Sequence, residues 1–387
     1  MYFDGNGNAI DLGNQNKAVT TTVLGYDLPE DVSVYGVSSE YAAKMKEAIE
    51  AWGASYAGDD KQIPFIVHTD QHGRLDSTNT GLFDLLSYLV NWDETSAIFN
   101  LGDTVVDHWI DDNINTNPLL RNAELEAALK CVHSVPLAKQ INVFGNHDTW
   151  YSGNEQTAVA GTLPSLKYNN PYFHCNGLRT VKLEDNSGMF EVFDDKHKIR
   201  YLIVAAWDYA AKQSGNTGYQ WYYVSNEHLE WIISKMQENT GYDLVLVSHV
   251  PLQMGGARAI DPITGDSITK TNPTFIEHYM TELNSIWSAR KSKGSGTIRT
   301  SIPYDFTNCT DKLLCALAGH THYDGVDYVG DAGVMQVAFD WFADLTIHFG
   351  LIDRRNNQIK CWKLHNESST PGVQTWTKPF DYVAPGT

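Results

Sequence analysis

The chain has 387 residues, 42% hydrophobic and 19% charged, with a formal net charge of −19. That length suits one large α/β domain with insertions or two domains, and the composition excludes disorder along most of the chain. The acid excess repels phosphate backbones, which argues against nucleic acid and anionic membranes as partners; a phosphorylated substrate stays open, because bound metal ions reverse the local field.

The first residues, MYFDGNGNAIDLG, have neither a basic n-region nor an apolar h-region, so no signal peptide is expected. No run approaches the roughly 18 apolar residues of a membrane span. The expectation is a soluble protein, cytoplasmic or particle-associated. Residues 1–61 read as an N-terminal extension. FDGNGNAI carries the Asn-Gly chemistry of a hairpin. SSEYAAKMKEAIEAWG sets Tyr41, Met45, Ile49 and Trp52 at helical spacing, with Ser38 or Ser39 as cap and Gly53 as stop.

From residue 62 short apolar runs alternate with helical patterns: PFIVHTD, a helix near Leu82–Val90, AIFNLGD, a helix near Ala123–Val132, then INVFGNH and RYLIVAAWD. A helix near Asn226–Met236, DLVLVSH and KLLCALAGH complete the series, and residues 334–364 read as antiparallel strands. Alternation of this kind predicts α/β layers over residues 62–365. Two stretches, about 150–198 and 252–310, read as insertions of the lid or specificity-loop type. Residues 366–387 read as a tail. The five cysteines, Cys131, Cys175, Cys309, Cys315 and Cys361, form no CxxC pair and are expected as free thiols.

Chemistry concentrates after the strands. Asp70 and His72 follow FIVHT, and Asp103 follows AIFNLG. Asn146, His147 and Asp148 follow INVFG. His249 follows LVLVS, and His320 and His322 follow LCALAG. In open α/β sheets ligands bind at these carboxyl ends. Asp, His and Asn suit borderline divalent metals, and the set is too large for one ion but fits two sharing a carboxylate. Alternate spacing lets His320 and His322 face one side of an extended segment. Arg258, shortly after His249, is a candidate phosphate contact. His68 shares strand parity with Asp70, but a hydrogen-bonded strand histidine is the simpler expectation, and His348 has no spacing partner.

The ordered motifs DQH, GD, GNHD, SHVP and GHTH resemble those of the calcineurin-like metallophosphoesterases over roughly residues 62–350. The resemblance implies a four-layer α/β/β/α sandwich of two mixed sheets with the metal site at the strand carboxyl ends. It implies two divalent ions (Mn, Fe, Zn or Ni): Asp70, His72 and His322 on the first, Asn146, His249 and His320 on the second, and Asp103 bridging. It further implies phosphoester hydrolysis by hydroxide held between the metals. His147 would protonate the leaving group, and Asp148 would orient a neighbouring histidine. Val106 stands where the purple-acid branch has its tyrosine, and GDTVVDHW and VFGNHD lack the arginines of the protein phosphatase branch. The pattern is closest to the small phosphodiesterases, so a diester is favoured over a monoester. The competing reading is a structural or binding component of a virion or surface particle, in an oligomer joined through residues 1–61 and acting on phosphate-bearing wall polymers.

Overall fold

A computed structural model of the chain describes residues 2–3, 9–10, 27–56, 59, 61–72, 77–104, 134–136, 139–143, 145, 179–182, 189–204, 224, 226–252, 258–268, 279–342 and 345–382. The helix predicted near Ala123–Val132, most of the 150–198 insertion, Cys131, Cys175 and the triplet Asn146, His147 and Asp148 lie outside the described residues.

Strands β1 (Tyr2–Phe3) and β2 (Ala9–Ile10) pair antiparallel, in keeping with the predicted hairpin. Two larger mixed sheets follow. In the first, β3 (Gln62–His68), β4 (Ala97–Asn100) and β5 (Gln140–Asn142) run parallel. The antiparallel strands β15 (Ile347–Asp353), β16 (Gln358–His365) and β17 (Gly372–Pro379) extend it, giving the order β17-β16-β15-β3-β4-β5. The second sheet has β8 (Ile199–Ile203), β9 (Asp243–Val247), β12 (Leu313–Ala318) and β14 (Val334–Ala338) parallel at its centre. Strand β13 (Gly325–Val329) closes one side, and β7 (Phe190–Asp194) with β6 (Arg179–Lys182) the other, all antiparallel to their neighbours.

The sheets pack face to face. Phe65, Val67 and Phe99 from one meet Tyr201, Val245 and Leu317 from the other. Every residue of β3 and of β12 is buried, which is why these strands read as largely apolar runs without alternation: both of their faces are covered. Helices α1 (Ser39–Ala54) and α2 (Ser77–Leu89) cover the outer face of the first sheet against Ile66, Ile98 and Phe349. Helices α3 (Asn226–Gln237) and α4 (Tyr279–Ser292) cover the second against Leu202, Leu244 and Leu246. The four-layer α/β/β/α sandwich expected from the sequence is the fold.

Two terminal segments join this body. Ser38 caps α1 by accepting from the Tyr41 N–H, and the helix buries Tyr41, Met45, Ile49 and Trp52, the face its spacing predicts. Each such burial contributes roughly 1.5–3 kcal/mol. The indole Nε1–H of Trp52 donates to Gly350 O at 2.8 Å, tying α1 to β15. At the other end, β17 pairs with β16 from Gly372 to Pro379. Within the 252–310 stretch, α4 and the hairpin of β10 (Ser295–Ile298) and β11 (Ile302–Asp305) contribute Ile286, Trp287 and Ile302 to the core on the outer face of the second sheet, so this part is a structural layer and not a lid. Cys309, Cys315 and Cys361 are buried free thiols, as expected.

Candidate metal centre

Strands β3 and β4 end beside β9 and β12, and the loops that leave them continue the sheets' hydrogen bonding. Asp70 N donates to Gly102 O at 2.9 Å, His72 N to Asp103 O at 3.0 Å, and Gly319 N to His249 O at 2.9 Å. The functional side chains therefore sit on backbone fixed by the two sheets.

That backbone is unusual. Asp70, His72, Asp103, His320 and His322 all have left-handed φ, between 49° and 69°. Asp and His tolerate this conformation better than most residues, yet each instance has a cost of about 1–2 kcal/mol, and such residues gather at functional sites. The conformation also corrects the expected extended GHTH segment. Residues 320–323 form a bend in which Thr321 N donates to Gly319 O at 2.8 Å, and the two histidines diverge into different groups.

Glycines let the loops approach. A Cβ on Gly145 would lie 2.1 Å from Asp103 Oδ1, and one on Gly319 would lie 2.1 Å from Thr69 Oγ1 and 2.8 Å from Asp70 Oδ2. Gly145 is thus required for clearance around Asp103.

Two groups of three donors result: Asp70 with His72 and His322, and Asp103 with His249 and His320. Within each, the donor atoms lie within 4.8 Å of one another. In the first group, Asp70 Oδ2 accepts from the Thr69 hydroxyl at 2.6 Å and from the His320 backbone N–H at 2.9 Å. Its other oxygen, Oδ1, is buried with no hydrogen-bond donor. It faces His322 Nε2 at 3.2 Å and His72 Nε2 at 3.9 Å, and those two nitrogens are 2.9 Å apart. Donor atoms converging in this way offer a place for a cation. The separations also suit one: two metal–ligand bonds of about 2.1 Å at a right angle place their donors ~3.0 Å apart.

In the second group, His249 Nδ1 lies 2.8 Å from Leu101 O, and a carbonyl can only accept, so Nδ1 carries the proton. The lone pair of Nε2 then faces Asp103 Oδ2 and His320 Nδ1, each at 3.1 Å. This backbone anchor is the usual way a ligating imidazole is fixed in one tautomer. Burial lowers the His249 pKa, but the Asp103 and Asp70 carboxylates overcome it and raise the value to about 9. Burial, reinforced by His249, lowers His320 to about 3 and keeps its lone pair available. The carboxylates thus hold positive charge at this point, as a proton or as a metal ion. Both groups fit divalent cations by donor chemistry, spacing and the orphaned Asp70 oxygen.

The other sequence candidates sort differently. Asn146, His147 and Asp148 lie outside the described residues. Arg258 is not brought to the centre: its Nη1 is 3.4 Å from Tyr328 O and 3.3 Å from Gly330 O, and its guanidinium lies 4.8 Å over the Tyr382 ring. Those carbonyls sit at the turn between β13 and β14, at the opposite end of the β14 strand from the metal-side loops. His68 is a buried strand histidine, as expected; its Nδ1 pairs with Gln71 Nε2 at 2.8 Å, and burial lowers its pKa to about 3. Sequence reasoning missed Trp341. Its indole stacks on the His322 ring at 4.8 Å and 10°, with the His72 ring 6.3 Å away. Within AFDWF nothing but its type set this tryptophan apart.

No protein-family model matches the chain, and no curated protein matches it. Among solved structures it is similar to the Structure of Vacuolar Protein Sorting 29 from Cryptosporidium Parvum, with 9% identity over 82% of this chain and 98% of that one and a TM-score of 0.30. A likeness that slight decides nothing about function, which rests on the atoms of the centre itself.

Proposed function

We propose that the protein is a dinuclear metal-dependent phosphoesterase of the calcineurin-like type, acting on a phosphodiester. The observation that carries this reading is the pair of adjacent Asp/His groups at the strand carboxyl ends, with a buried Asp70 oxygen that has no hydrogen-bond donor. Asp70, His72 and His322 hold one ion. Asp103, His249, His320 and Asn146 hold the other, with the Asp103 carboxylate shared. When bound, two divalent cations supply Lewis acidity, a nucleophile drawn from water near neutral pH, and neutralisation of phosphoryl charge.

The chain supplies the rest. Thr69 and the His320 N–H orient the Asp70 carboxylate. Leu101 O fixes the His249 tautomer. His147, beside the ligand Asn146 in sequence, donates a proton to the departing oxygen, a contribution of roughly 10²–10⁴-fold. Asp148 orients a neighbouring imidazole. A monoester carries an extra negative charge that arginines commonly clamp. The clamping arginines of the protein phosphatase branch are absent from the motifs, and Arg258 is engaged at the β13–β14 turn, which favours a diester.

The test is metal analysis of the purified protein, then hydrolysis of bis-p-nitrophenyl phosphate against p-nitrophenyl phosphate with Mn²⁺, Zn²⁺, Fe²⁺ or Ni²⁺. The diester should be cleaved faster. His147→Ala should keep its metal and lose turnover, whereas Asn146→Ala should lose metal. A folded, metal-loaded protein inert towards every phosphoester would overturn the proposal.

A further inference from the structure

At the end of the sandwich opposite the metal centre, where β3, β9 and β12 begin, the two sheets part around a cavity of about 480 Å³. Strand β3 alone separates the two places by ~20 Å. Four cations line the cavity, Lys61, Lys312, Arg354 and Arg355, with Asp243 as the acid in its wall. This is a reversal for a chain with 47 acidic and 28 basic residues. Concavities lined by one sign of charge focus the field and concentrate counter-ions.

The lining is built, not incidental to a flexible surface. Arg354 N donates to Lys61 O at 3.0 Å, and Leu244 N to Lys312 O at 2.7 Å, so the backbone that carries these cations is tied into both sheets. Carboxylates orient the two guanidinium groups: Asp243 lies 3.4 Å from Arg354 and Asp59 2.7 Å from Arg355. Lys61 and Lys312 form no ion pair among the described residues. The Asp381 carboxylate, which senses Lys312, is engaged by Lys291 at 3.0 Å and Asn357 at 2.8 Å. After these pairings two ammonium charges remain beside two planar N–H donors, and the Asn357 amide also lines the wall.

We propose that this cavity binds a compact oxyanion carrying two negative charges, of the phosphate or phosphomonoester class. The guanidinium groups supply directional N–H donors and the lysines supply point charge, the division of labour found in phosphate recognition. The site is independent of the phosphoesterase reading.

Calorimetric titration of the full-length, metal-loaded chain with inorganic phosphate, with glycerol 3-phosphate as a second arm, tests it. Comparison is with the Lys61→Gln/Lys312→Gln variant, whose two exposed positions leave the fold and the hydrolysis of bis-p-nitrophenyl phosphate unchanged. The wild type should bind one more equivalent than the variant, or bind it at least ten-fold more tightly. Preference for phosphate over glycerol 3-phosphate assigns the free ion; the reverse assigns a phosphorylated ligand. Equal stoichiometry and affinity in wild type and variant overturn the proposal. So does a difference that modest sodium chloride abolishes, since that is the behaviour of a counter-ion cloud.

Discussion

Two of the aspartate–histidine clusters among the described residues differ in what surrounds their carboxylates. One is the candidate metal centre, where Asp70 and Asp103 meet imidazoles, a hydroxyl and a backbone N–H. The other lies behind it. There His348 Nε2 sits 2.8 Å from Asp324 Oδ1, and the Lys363 ammonium reaches Asp324 at 3.1 Å and Asp340 at 2.7 Å. Both contain the residue types of a metal site. In the second, the Lys363 ammonium supplies a cation from the chain itself; in the first, Asp70 Oδ1 has no hydrogen-bond partner and faces two imidazoles. Donor type alone therefore does not identify a metal site. What sets the candidate metal centre apart is its two triads of donor atoms, the atoms of each lying within 4.8 Å of one another. The two clusters meet at Trp341, which follows Asp340 in the chain and stacks on His322.

Four measurements would sharpen or break this contrast. The largest effect is expected at Lys363. Lys363→Met leaves Asp324 and Asp340 without their ammonium and should cost about 3–5 kcal/mol in denaturant unfolding, the usual result of breaking a buried pair. Metal content should be retained; if it fell with stability, the two clusters would be one functional unit. Asp103→Asn should do the opposite, holding the fold but losing metal at the Asp103–His249–His320 group. Its activity should drop by more than ~10²-fold, beyond the loss from an outer partner, and full metal occupancy in this variant would contradict the assignment.

Acid should act on the lysine-closed cluster. His348 and Lys363 outweigh burial and hold the Asp324 carboxyl down at about 2, against an ordinary 3.8. A depressed carboxyl stabilises the fold above its unfolded pKa, and that contribution fades as pH falls through the folded value. About 2 kcal/mol should thus be lost between roughly pH 4 and pH 2. Asp340, which burial raises, titrates in the opposing sense and offsets part of it. Asp324→Asn should flatten this limb of the stability–pH curve; an unchanged limb would place the acid sensitivity elsewhere. The smallest effect concerns the contact between the clusters. Trp341→Ala should weaken metal binding at the Asp70–His72–His322 group by about 10–100-fold. Trp341→Phe should restore most of it. Because the indole stacks on a ligand ring, Co²⁺ should quench fluorescence in the wild type more than in the phenylalanine variant.

The legible part of the site was the part written in consecutive residues. Asp70, His72, Asp103, His249, His320 and His322 each follow an apolar run closely, and every one is at the centre. The runs were legible because burial on both faces makes most of their residues apolar. Arg258 looked equally close in sequence to His249, but its segment pairs with β13 through Ile260 and its side chain ends at the far turn. Lys363 and His348 gave no signal, since they lie on β15 and β16 and meet Asp324 only when the first sheet packs on the second.

The sequence by itself determined the strand series, the order of the donor residues, the buried face of α1 and the chemistry those donors can perform, because each depends on spacing within one element. Tertiary structure decided the rest. It sorted six donors into two groups, through left-handed turns that spacing does not encode. It gave the Asp324–His348 cluster a lysine, and it gathered Lys61, Lys312 and Arg354 at the opposite pole. Those outcomes depend on which strand ends face one another across two sheets, and that is fixed only when the sheets pack.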